Sequence, residues 1–171
     1  VLHDPCGLLR EGRVRLQLAR RVRDPTARRL FAREARLAER VEAVMEVLNK
    51  HADKTGKKVM YAFNISDSLE AMYRHHDIVQ AASGTCVMVS LNSVGLAGVE
   101  ALRGRASLPI HGHRNGWGML NRHPALGIEF TAYQKLWRLA GVDHLHVNGL
   151  QNKFSESDES VVRSIKACLE P

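Results

Sequence analysis

The chain has 171 residues, 44% hydrophobic and 25% charged, proportions that fit one globular domain and exclude collagen-like, low-complexity and wholly disordered chains. No apolar run approaches the roughly 20 residues that span a bilayer. The opening VLHDPCGLLREGR also lacks the basic-then-apolar order of a secretory signal, so a cytoplasmic protein without membrane association is expected. Cys6, Cys86 and Cys168 lie far apart and form no CxxC pair, which favours reduced thiols over a disulfide scaffold or a cysteine zinc site.

The net charge of +7 is unevenly placed. Residues 1–36 hold ten arginines against four acids and no lysine, whereas residues 37–171 hold fifteen bases against fourteen acids. Such a break marks an appended tail or a segment of different origin. Two regions are therefore expected: an arginine-rich segment, 1–36, of unclear fold, and a folded body, 37–171. An alternative function follows from the arginines, a basic module that grips nucleic acid, although nucleic acid is not the expected partner.

From residue 37 the elements alternate. RLAERVEAVMEVLNKHADKTG spaces Leu37, Val41, Val44, Met45 and Leu48 as one face of a helix that closes near Gly56. KKVMYAFNIS reads as a first strand, and SDSLEAMYRHHDIVQAA as a helix capped by Ser66 or Asp67. TCVMVSLN and SVGLAGVEALR repeat the pair. LPIHGHR is a third strand, RNGWGMLNRHPALG a glycine-rich loop, and EFTAYQKLWRLAG a helix stopped by Gly141. VDHLHVNG is the fourth strand, and SDESVVRSIKACLE a last helix capped by Ser157 or Asp158. Strands as apolar as VMYAF and CVMVS suit a parallel sheet covered on both faces, so the class is α/β, with about four parallel strand-helix units after a preceding helix. Four strands do not close an eight-stranded barrel; the sheet is open or the chain is part of a larger one.

In such sheets the carboxyl ends of the strands gather ligand-binding groups. Here those ends carry Asn64, Asn92, His113 with Arg114, and His146 with Asn148. His111-x-His113 and His144-x-His146 each place two imidazoles on one strand face. His111 and His144, deeper in their strands, read as packed core histidines; His113 and His146 are better placed for a ligand. Arg114 offers paired donors to a phosphate or carboxylate, or else makes a strand-end salt bridge. Lys153, in the polar loop NGLQNKFSES, reads as a lid residue that meets developing negative charge, or more plainly as a surface lysine. Gly116 and Gly118 allow positive φ or close backbone approach, and Trp117 reads equally as a packing anchor. His75 and His76 read as residues on a solvated helix face. The two HxH pairs also suggest zinc, but the acids of a zinc hydrolase are not nearby.

Four segments, GKKVMYAFN, GTCVMVSLNSVGLAG, LPIHGHRNGWG and YQKLWRLAGVDHLHVNGLQNKF, taken in order, resemble the carboxy-terminal barrel of the Rubisco large-chain superfamily, and most closely its Rubisco-like (type IV) members. The resemblance runs from about residue 37 to residue 171. It implies a partial (β/α)8 TIM barrel, the units from the third strand to the sixth and its helix. It also implies magnesium-dependent enolisation, isomerisation or decarboxylation of a phosphorylated, sugar-like small molecule by a homodimer. Matched position by position, it implies that His113 and Arg114 contact substrate hydroxyls and a phosphate, that His146 lies on the phosphate side, that Asn64 lines the site and that Lys153, with His113, is catalytic. NGWG after Arg114 departs from the carboxylase pattern, which argues against carbon fixation. The family's magnesium-binding cluster of lysine and acids does not appear before residue 37, and the last two barrel strands do not follow, so no metal ligand is assigned and impaired turnover is expected. The alternative within the family is a half-barrel that binds without catalysis, or a remnant.

Overall fold

A computed structural model describes residues 25–121, 123–146 and 157–169. In chain order the elements are α1 (Pro25–Thr55), β1 (Ala62–Asn64), α2 (Leu69–Ala81), β2 (Cys86–Ser90), α3 (Leu91–Arg103), β3 (Ile110–His113), α4 (Trp117–Asn121), α5 (Phe130–Leu139), β4 (His144–Leu145) and α6 (Asp158–Leu169). The strands form one parallel sheet in the order β1-β2-β3-β4, and a helix follows each strand, as the alternation of periods predicts. Sequential parallel neighbours joined by helices are the repeating unit of a (β/α) barrel. No described helix is long and apolar enough to cross a membrane.

The chain divides into two compact units. The first comprises the described residues up to Phe63 together with Tyr73–Val87. Its long helix α1 buries Leu37, Val41 and Met45 at four-residue spacing, as the sequence pattern requires. The helix begins at Pro25, inside the arginine-rich stretch, because arginine is a good helix former and proline suits the first turn. Glu34 is buried, and its Oε1 accepts a 2.7 Å hydrogen bond from Arg74 Nε on α2. β1 is shorter than the apolar run that announced it: Val59, Met60 and Tyr61 are exposed, and Tyr61 N donates to the Thr85 hydroxyl rather than to a strand carbonyl. His75 and His76 are 8% and 2% exposed, which corrects their assignment to a solvated face. They share a helical face with Val79, three and four residues on, and Asp77 takes the exposed side, its Oδ1 3.2 Å from His76 Nδ1.

The second unit comprises Asn64–Met72 and the described residues from Met88 onward. Its centre is Val89, Leu91, Val99, Leu102, Ile110, Trp117 and Trp137. β3 and β4 pair in parallel with His111 opposite His144 and Gly112 opposite Leu145. Asp143, one residue before β4, holds this pairing: its Oδ2 accepts from Ile110 N at 2.7 Å and from Arg103 Nη1 at 2.8 Å. Gly141 ends the turn after α5 at φ +97°, and a Cβ there would lie 2.3 Å from Arg103 Cγ, so only glycine leaves Arg103 its path to Asp143.

The loop expected after β3 contains the short helix α4. Gly116, at φ +73°, turns the chain, and Trp117 is buried as the anchor, so the glycine-rich stretch becomes a turn followed by helix. Helix α5 places Phe130, Tyr133, Gln134 and Trp137 inward, and packs against α6. Glu129 caps α5 by accepting from Ala132 N at 3.0 Å, and Ser157 Oγ accepts from Ser160 N at 3.2 Å at the head of α6.

Candidate active site at the strand tips

Side chains alternate along a strand, so the pairing of His111 with His144 sets four imidazoles on one face, while Ile110 and Gly112 point the other way into the packed side. The rings of His113 and His146 lie 5.7 Å apart between centroids, those of His111 and His146 6.1 Å, and those of His111 and His144 6.5 Å. Burial holds His111 below the ordinary imidazole pKa, and repulsion from His146, His144 and His113 adds to it. His111 is half-buried, but His144 is exposed rather than packed in a core, because β4 is the terminal strand of the described sheet and has a neighbour on one side only.

Arg114 follows His113 directly and therefore turns to the opposite side. It is 7% exposed. Its guanidinium carbon lies 4.9 Å from the Trp117 ring centroid and 5.8 Å from that of Phe130, and its Nη1 donates to Gln134 Oε1 at 3.3 Å. The fold thus brings His113 and His146 together and gives Arg114 an aromatic seat of its own. Asn64 is exposed at the end of β1, where its Oδ1 accepts from Ser66 N and Ser66 Oγ at 3.0 and 2.7 Å. Ser66 Oγ in turn accepts from Ser90 N at 2.7 Å, which ties the tips of β1 and β2. Lys153 and Asn148 lie outside the described residues.

Two further groups belong to this end of the second unit. Asn92 Oδ1 accepts from the Tyr133 hydroxyl at 3.0 Å, and its Nδ2 donates to Asn115 O at 2.8 Å. Burial pushes the Tyr133 pKa up. A cavity of about 710 Å³ opens beside them, lined by Leu96, Leu126 and Leu136 among others. Sequence reasoning passed over Gln134, although one amide among Phe130, Tyr133 and Trp137 on a buried helix face is a visible signal.

Magnesium takes oxygen ligands, carboxylates above all. The described strand tips offer imidazoles, amides and a guanidinium, and no three His, Cys, Asp or Glu side chains among the described residues form a metal-binding group. These residues do not fit magnesium, and the HxH pairs do not form a zinc site. Among the described residues Cys86 and Cys168 are free thiols; Cys6 lies outside them.

Parallel strands in sequential order, each followed by a helix and tipped with polar side chains, place the chain among α/β-barrel proteins as a partial barrel. Residues 29–170 match the family described as ribulose bisphosphate carboxylase large chain, catalytic domain, and the chain belongs to that family. It is 60% identical over 132 residues to a 3-oxo-isoapionate-4-phosphate transcarboxylase/hydrolase of Xanthobacter autotrophicus, covering 77% of this chain and 32% of the relative. It is 52% identical over 136 residues to a 3-oxo-isoapionate-4-phosphate decarboxylase of Rhizobium etli, covering 79% of this chain and 33% of the relative. Among solved structures it is similar to a Rubisco-like protein from Burkholderia fungorum, at TM-score 0.73 and 50% identity, covering 79% of this chain and 33% of that one. The chain thus spans about a third of the length of the relatives it matches.

Proposed function

We propose that the strand-tip groups of this chain serve the decarboxylation of a phosphorylated 3-oxo sugar acid, with 3-oxo-isoapionate 4-phosphate as the first substrate to try. The observation that carries the reading is that two relatives above 50% identity share that substrate in their names. In a 3-oxo acid the carbonyl sits beta to the carboxylate, so the breaking carbon–carbon bond passes its electron pair into the carbonyl. Carbon dioxide leaves, an enolate remains, and a proton then closes the carbon. What the protein must supply is a donor for the enolate oxygen and a grip on the phosphate. His113 takes the first role with Lys153 and His146 takes the second on the imidazole face; Arg114 meets an anionic group from the opposite, aromatic side of β3, and Asn64 orients the hydroxyls. The imidazole face supports this assignment, since His113 and His146 adjoin one another and are open to a ligand. A homodimer completes the proposal, checked by light scattering.

The test is to incubate the purified protein with 3-oxo-isoapionate 4-phosphate and follow carbon dioxide release together with the phosphorus NMR spectrum of the product. Slow turnover is expected, in keeping with the impairment that the missing magnesium-binding cluster implies, with His113→Ala and Lys153→Ala each lowering kcat/KM by about 100-fold or more. No conversion, or variants as active as the parent, overturns the proposal. The 60% identical relative favours a second reading, carboxyl transfer or hydrolysis, and a product that keeps the carboxyl carbon assigns it.

A further inference from the structure

The sequence offers no obvious reason for a fully buried glutamine in the middle of α5. Gln134 has no exposed surface, and its two amide atoms face two different demands. Its Oε1 accepts from Arg114 Nη1 at 3.3 Å, while its Nε2 donates to the backbone oxygen of Ser164 at 3.3 Å and to Cys168 Sγ at 2.6 Å, both on α6. A guanidinium carries donors only, so the atom facing it must accept; a backbone carbonyl only accepts, so the atom facing it must donate. One carboxamide meets both needs, and the carbonyl of Ser164 fixes which end points to Arg114. A carboxylate or a hydrocarbon of the same length meets one or neither. The rings of Trp117 and Phe130 flank the same guanidinium but leave its rotation in the plane unset, because stacking has no directional hydrogen bond.

We propose that Gln134 is a positioning residue: anchored on α6, it sets the angle at which the Arg114 guanidinium meets an anionic group of the substrate. The proposal rests on the reading of Arg114 as a phosphate ligand and extends it to a residue that touches no substrate. Bidentate recognition of phosphate depends on the orientation of the guanidinium plane, so a loose fork loses affinity although its charge remains.

The probe is inorganic phosphate, titrated calorimetrically into the purified protein, with thermal unfolding followed in parallel. Gln134→Met preserves volume and removes both polar atoms. It is expected to weaken phosphate binding about tenfold, the size of a lost hydrogen bond to a charged group, and to have no further effect when Arg114→Lys is already present. If Gln134→Met does not fold, Gln134→Glu, which keeps the acceptor but loses the donor and neutralises the guanidinium, is read through the same cycle with the same expectation. A lowered Tm with unchanged phosphate affinity, or equal weakening in both Arg114 backgrounds, overturns the positioning role. Should Arg114→Lys alone leave phosphate affinity unchanged, the site reading beneath it fails, a separate and distinguishable result.

Discussion

Gly112 sits between two histidines of β3 for a steric reason. A Cβ there would lie 2.9 Å from Val142 Cγ1, and 3.0 Å from both Leu145 Cδ2 and Leu91 Cδ1. Gly112→Ala is expected to lower stability by about 1–3 kcal/mol, the usual cost of overpacking; an unchanged urea midpoint would contradict this. The residue types at the strand ends were legible in the sequence: the HxH pairs, Arg114 and Asn64 all fall where strand-helix alternation puts them. Side-chain direction was less so. Arg114 adjoins His113 in sequence, yet alternation sends it to the aromatic side, where Trp117 and Phe130 receive it. His75 and His76 were misread because histidine looks polar, and only the place of Val79 on the same helical face reveals that they turn inward.

Helices were easier to read than strands. The long helices carry apolar stripes, α5 and α6 also have side-chain caps, and the cap of α6 gives a direct check: Ser157→Ala removes the acceptor for Ser160 N and is expected to cost about 1 kcal/mol. Denaturant unfolding should register that loss, and a variant as stable as the parent would show that the cap contributes nothing. Short strands resist the same reading. The run from Val59 to Phe63 is continuous in apolar character, but a strand exists only where a partner supplies hydrogen bonds, and β1 occupies Ala62–Asn64 alone. The start of α1 was missed in the opposite sense, since the change in charge near residue 36 is a change of composition and not of backbone: Glu34, buried against Arg74, already belongs to the packed helix.

Acid should weaken the folded chain through its imidazole face. His111 has a native pKa below the 6.5 of an unconstrained imidazole, from burial first and then from its three histidine neighbours. Below about pH 6.5 the unfolded chain takes up a proton that the native state refuses, so this contribution is intact above that pH and is lost as pH falls. Melting temperatures should drop between pH 7.5 and 5.5, and His111→Gln should flatten that drop. Equal slopes for parent and variant would rule out His111 as a source. A bound phosphate works in the reverse sense, favouring the protonated rings, so the same pair of measurements with and without phosphate should separate the empty face from the occupied one.

Asp143 acts as a ruler for that face without joining it. By clasping Ile110 N and Arg103 together, it fixes which residue of β4 lies beside which residue of β3. A slip of one position would bring Leu145 round in place of His144 and scatter the imidazoles over both sides. Whatever chemistry the four rings perform therefore depends on a carboxylate that marks their alignment from outside.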